Sequence, residues 1–167
     1  SHSPLLPPAG VPIQVRARLA DPDGIRGAVV WWKGQAAALF NQASMHDNGA
    51  DGDAVAADGI FTGTIPAQNS GSLIVFRVEA TDAAAVAGTS MFPPDAPAHE
   101  CLVRVGERAQ AGAFGAYRLW MTSATVAKWS AREKFGNEPV DATFIYGGVR
   151  AIYGAGAWYA GSEASTP

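Results

Sequence analysis

The sequence predicts a mainly β protein: an antiparallel sandwich followed by a small α+β segment with one helix and about three strands. Three observations lead there. Turn signals recur at short intervals in a chain with 19 glycines and 11 prolines, and apolar and polar residues alternate between them. Hydrophobic residues make up 48% of the chain, enough for a core, against 16% charged. One acidic, glycine-studded stretch from Met45 to Pro66 (MHDNGADGDAVAADGIFTGTIP) runs directly into a strand-like segment, as a shaped loop between two strands would.

Taken in order, Ser1 to Gly10 is proline-rich and extended, ending at the Ala9-Gly10 turn. VPIQVRARLA (Val11 to Ala20) alternates: Ile13, Val15, Ala17 and Leu19 share one face, with Gln14, Arg16 and Arg18 on the other. DPDGIRG is a turn, because Pro22 presets φ and Gly24 permits positive φ. AVVWWKG (Ala28 to Gly34) is the next strand, with Trp31 and Trp32 facing opposite sides. AAALFNQASM (Ala36 to Met45) is ambiguous, since its alanines favour a helix and its surroundings a returning strand. GIFTGTIP is a strand, QNSGS a turn, and SLIVFRVEATD the clearest strand, with Ile74, Phe76, Val78 and Ala80 inward. A long Ala/Pro-rich connection reaches Ala98, and ECLVRV closes the set, with Cys101 as a small buried apolar residue. About six or seven short strands in residues 1–106 match an immunoglobulin-like or fibronectin-type sandwich.

The character changes after Gly106. Residues 107–116 form a small-residue linker, and YRLWM begins a new strand. TSATVAKWSAREKFG predicts a helix, capped by Thr122 or Ser123, with Val126 and Trp129 inward and Gly136 as its stop. VDATFIYGG and VRAIYGAGAWYAG predict two strands joined at Gly147-Gly148. Residues 117–167 are too few for a well-buried core of their own, so they are expected to be the beginning of something larger or to pack on the sandwich.

In YRLWMTSATVAKWS, NEPVDATFIYG and VRAIYGAGAWYAGS the chain resembles the N-terminal portion of the CotH-like (spore coat protein kinase) family. The preceding ARLADPDG, WWK, DNGADGDAVAADGIFTGTIP and VEATDA resemble Ig-like modules found just before such domains in large bacterial secreted or surface proteins. The resemblance implies an extracellular or cell-surface location, with any signal outside this fragment, and partners among the parent's other domains or surface proteins. It also implies that the family's nucleotide- and metal-binding residues lie C-terminal to these motifs. Phosphoryl transfer needs a cationic phosphate clamp and carboxylates that hold metal. No lysine follows Lys134, and the acidic residues after it are Glu138, Asp141 and Glu163, so no catalytic residue is assigned and no kinase activity is expected of this chain.

The candidate site is the acidic loop. Asp47, Asp51, Asp53 and Asp58 fall within twelve residues, and carboxylates so dense repel one another unless solvated or sharing a cation. As an EF-hand, Asp47, Asp51 and Asp58 would take positions 1, 5 and 12 with Gly52 at position 6, but Gly49 stands at position 3 and strand-like segments flank the loop. Strands alternating up and down bring the turn at Asp21 and Asp23, the acidic loop and Asp82 to one end, where their oxygens would suit Ca²⁺. The other reading of the same seven aspartates is that they cap turns through side-chain to backbone hydrogen bonds.

Other chemistry is sparse. His46 stands beside Asp47, while His2 and His99 have no partner nearby in sequence; three scattered histidines do not make a zinc site. Trp120, Trp129, Tyr146, Tyr153, Trp158 and Tyr159 suit core and interface positions, with a glycan stacked on Trp158 and Tyr159 as the alternative. No GxGxxG opens a helix and no GxSxG elbow occurs. A net charge of −3 and a pI near 5.5 argue against nucleic-acid binding. No run of 18 apolar residues spans a membrane, and the start lacks the pattern of a signal peptide. The expected role is a non-catalytic structural or interaction module. The alternatives are an accessory fragment of a CotH-like kinase and a calcium-stabilised adhesion or carbohydrate-binding module.

Overall fold

Alternation becomes pairing along the first hundred residues. The computed structural model describes residues 1–109, 115–132 and 138–158. Its strands are β1 (His2–Ser3), β2 (Ile13–Arg18), β3 (Ile25–Gly34), β4 (Asn41–Met45), β5 (Ile60–Ile65), β6 (Leu73–Asp82), β7 (Thr89–Phe92) and β8 (Cys101–Arg104). They form two antiparallel sheets, one ordered β1-β2-β5 and one ordered β4-β3-β6-β7, with β8 also paired to β6. The inward side chains of both, among them Ile13, Val15, Val30, Ile65, Phe76 and Val103, are buried between them. On one flank His46 and Thr62 exchange backbone hydrogen bonds of 2.9 and 2.8 Å, which links β4 to β5 and so one sheet to the other.

The ambiguous AAALFNQASM ends as a strand, because β3 offers Ala28 to Trp32 a partner in β4. Two short strands are additional to the sequence expectation. β1 lies inside the proline-rich start, and β7 lies inside the Ala/Pro-rich connection; both are held by pairing with a longer neighbour rather than by their own pattern.

The third sheet follows, ordered β11-β10-β9 from β9 (Tyr117–Trp120), β10 (Val140–Tyr146) and β11 (Arg150–Ala157). Between β9 and β10 runs α1 (Ser123–Ala131), the only helix among the described residues. Thr122 is its cap, accepting from the Thr125 N–H at 3.1 Å. The expected inward face is corrected: no residue of α1 is buried and Val126 is 48% exposed, so the helix lies on the surface. The stop assigned to Gly136, part of the 107–116 linker and Tyr159 lie outside the described residues.

This sheet covers the outside of the sandwich at β6 and β8. Leu73, Val75 and Leu102, which alternation turns away from the sandwich core, are buried together with Trp120, Thr143 and Ile145. The Leu102 N–H donates to Thr143 Oγ1 at 3.0 Å within that layer. At its edge Tyr153 of β11 reaches His2 of β1, and the two rings meet Phe76, with Tyr153 edge-on to it. Because the Leu5 carbonyl can only accept, His2 Nε2 carries the proton toward it at 3.0 Å; Nδ1 then accepts the Tyr153 hydroxyl proton at 2.5 Å. That bond ties the first strand to the last.

Candidate functional site

Asp47 closes the acidic loop. It follows the His46–Thr62 bridge, and its two carboxylate oxygens accept the N–H groups of Asp58 at 3.1 Å and Gly59 at 2.9 Å. The loop's start and finish are thereby held together between β4 and β5. Asp53 is 8% exposed and accepts the Gly49 N–H at 2.7 Å, while Asp58 accepts from Ile60 at 2.8 Å. Asn48 organises the remaining turn, accepting from Ala50 and donating to Asp51. Gly52, at φ 95°, lets the backbone lie directly on β2, where an added Cβ would fall 2.6 Å from the Gln14 amide nitrogen. The loop thus folds down over the outer face of the first sheet. Thr62, under it, is 2% exposed with its hydroxyl unpaired.

Of the seven aspartates singled out, the structure brings three together. Oxygens of Asp47, Asp53 and Asp58 lie within 4.8 Å of one another. Like charges at that distance repel by a few kcal/mol (about 3–4) at an effective dielectric of about 20. Four backbone N–H groups aimed at these carboxylates offset part of that repulsion. The arrangement can take a hard cation through oxygen ligands, and it serves equally as a set of turn caps.

The other four stand apart from that group. Asp51, at φ 55°, bonds Asn48. Asp21 accepts the Asp23 N–H at 2.9 Å, and Asp82 accepts those of Ala84 and Gly88, each at 3.0 Å. The Ala83 N–H to Gly24 carbonyl bond and the Leu19 N–H to Gly59 carbonyl bond, both 2.9 Å, do place these turns and the acidic loop at one end. Sharing an end is not sharing a site. Both flanks of the loop are strands, as the departure from an EF-hand implies.

A second polar group had no signal in sequence spacing. His99, Glu100, Thr125, Lys128 and Asp141 line a cleft of about 580 Å³ between α1, β10 and the segment before β8. The Glu100 N–H donates to Asp141 at 3.4 Å, and Arg77 sits 3.4 Å from the Glu100 carboxylate. Burial pushes the carboxyls of both Glu100 and Asp141 up. His99 is paired with Asp95 one helical-turn spacing away.

The aromatics divide between two environments. Trp120 is buried, Tyr153 is engaged with His2, and Tyr146 and Trp158 are 50% and 58% exposed. On the outer face of the third sheet Tyr117 stacks on Phe144 with ring centroids 6.0 Å apart and leans on Tyr146 at 5.4 Å. The chain is matched by no protein-family model and by no curated protein.

Proposed function

We propose that this chain is a non-catalytic structural and interaction module of a secreted or cell-surface bacterial protein. In this reading an immunoglobulin-like or fibronectin-type sandwich carries the N-terminal portion of a CotH-like domain on its flank. One observation carries it: among the described residues, the outer face of the third sheet is apolar and uncovered. Tyr117, Leu119, Tyr146 and Ile152 are 58%, 43%, 50% and 42% exposed on neighbouring strands. A sheet with an apolar face is ordinarily completed by another layer, and an exposed patch of this kind marks a place where one docks. The parent protein's following domain is the proposed occupant. The test is binding of an apolar fluorescent dye to the chain and to a Tyr117→Ser/Tyr146→Ser variant, beside a titration with ATP and Mg²⁺. Dye binding several-fold weaker in the variant, with no ATP binding, supports the reading. Saturable ATP binding would sink it and favour an accessory kinase fragment.

A second reading is supported by the three converging carboxylates: Ca²⁺ stabilises the acidic loop, as in adhesion or carbohydrate-binding modules. A site of about 10 µM affinity contributes roughly 2.7 kcal/mol at 1 mM Ca²⁺. The melting temperature should then rise by several degrees between EDTA and millimolar Ca²⁺. Asp53→Asn, which keeps an oxygen for the Gly49 N–H but removes the charge, should abolish that rise. An unchanged melting temperature in wild type leaves the aspartates as turn caps.

A further inference from the structure

Asn48 and Gly49 form the one Asn-Gly pair of the sequence; Asn41, Asn69 and Asn137 precede Gln42, Ser70 and Glu138. In that pairing the following backbone nitrogen can approach the side-chain carbonyl carbon with no Cβ in the way. The fold itself also calls for glycine there. Gly49 has a φ of 67°, and an added Cβ would lie 3.1 Å from the Ala56 nitrogen. Asn48 is exposed, so water reaches its amide.

Three contacts surround that amide. The Gly49 N–H donates to Asp53 Oδ2 at 2.7 Å. Asp53 is only 8% exposed, and its own N–H is held by the Ala50 carbonyl at 2.8 Å. The Ala50 N–H donates to Asn48 Oδ1 at 2.9 Å, and Asn48 Nδ2 donates to Asp51 Oδ2 at 3.1 Å. A donor on one side and a carboxylate on the other fix which end of the amide is oxygen. The attacking nitrogen thus faces a base, the carbonyl oxygen faces a donor, and the leaving nitrogen has a set direction. A similar turn recurs at Asp58-Gly59, where Gly59 donates to Asp47 and Ile60 donates to Asp58. There the side chain is already a carboxylate, whose charge repels a nucleophile. Asn48 is the uncharged member of the pair.

We propose that Asn48 is a self-modifying site, at which the acidic loop converts its own side-chain amide to a carboxylate. Asp53 takes the Gly49 amide proton as that nitrogen bonds to Asn48 Cγ. Negative charge gathers on Oδ1, which the Ala50 N–H already holds. The bond from Cγ to Nδ2 then breaks, and the nitrogen leaves as ammonia with the proton that Asp53 took. Water opens the cyclic imide at either of its carbonyls, giving aspartate or its backbone isomer. Each event adds one negative charge to a loop in which Asp47, Asp53 and Asp58 already converge. A turn that merely held Asn48 still would slow this reaction. The carboxylate on the attacking nitrogen and the donor on the receiving oxygen favour it.

The test incubates the folded chain with EDTA, which keeps cations off Asp53, and follows Asn48 by peptide mass spectrometry and released ammonia. The denatured chain at the same pH and temperature is the reference. Conversion about tenfold faster in the folded chain is expected, with Asn41 and Asn69 intact. Asp53→Asn keeps an oxygen for the Gly49 N–H but is a far weaker base, so its folded and denatured rates should become alike. Equal or slower conversion in folded wild type than in the denatured chain overturns the proposal, whatever the variant does. An unchanged folded rate in Asp53→Asn overturns it too, since the reaction would then owe nothing to the buried carboxylate.

Discussion

At the scale of single residues, His2 shows how burial sets charge. It is 6% exposed, both ring nitrogens are engaged, and burial pushes its pKa from the ordinary 6.5 down to about 4. A depressed pKa means that the unfolded chain binds the proton more readily, so His2 contributes stability above about pH 6.5 and loses it as the pH falls toward 4. At about 1.36 kcal/mol per unit, the loss is about 3 kcal/mol. Glu100 and Asp141 have the opposite sign: their raised carboxyls contribute below the ordinary carboxylate range, and that contribution is lost as the pH rises through their folded values. Melting temperatures of wild type and His2→Phe between about pH 7 and pH 4 separate the two effects. The variant should start lower, with Leu5 and Tyr153 unpartnered, and fall less steeply; parallel curves would mean that His2 does not titrate in this window. None of this is legible in sequence, because His2 and Tyr153 stand 151 residues apart. The aspartates are legible as turn formers from their glycine neighbours. Which three converge depends on where Gly52 lets the loop lie down, and spacing carries no such distance.

At the scale of elements, the strands that carry an alternating face are legible and those held by a neighbour are not. β2 has its apolar residues two apart, as do Ile74, Phe76, Val78 and Ala80 within β6; β1 and β7 owe their existence to β2 and β6. The helix shows the reverse limit: its cap is written in Thr122, but Val126 faces solvent because periodicity says nothing about whether a surface is available. Within β5, Gly63 has a packing reason. A Cβ there would lie 2.7 Å from Met45 Cγ and 3.1 Å from Val30 Cγ1, where β5 packs against β3 and β4. Gly63→Ala should therefore cost about 1–3 kcal/mol through overpacking, despite alanine's better strand entropy. Denaturant unfolding at unchanged slope would show it. A neutral result would mean that Met45 moves aside freely.

At the scale of the whole molecule, three sheets stack into two buried layers, and β6 and β8 belong to both. That doubling is written in the sequence as continuous apolar runs, Leu73 to Phe76 and Cys101 to Val103, where a strand with one wet face would alternate. Alternation alone identifies Ile74 and Phe76 and overlooks Leu73 and Val75. A fully buried polar joint of the second layer is the Leu102 N–H on Thr143 Oγ1, with Thr143 itself fully buried. Thr143→Val keeps the volume and leaves a buried donor unpaired, which should cost about 1–3 kcal/mol. Because the layer shares β6 with the sandwich core, unfolding should shift as one transition in fluorescence and circular dichroism alike. Two separated transitions would mean that the third sheet comes away independently.

Cys101 sits where those layers meet the inter-sheet core, fully buried, and burial pushes its thiol pKa up. It is the only cysteine of the chain. A thiol reagent can thus reach the protein's single sulfhydryl only when the fold opens around it, and labelling speed becomes a clock for opening of the native state. The molecule carries its own timer.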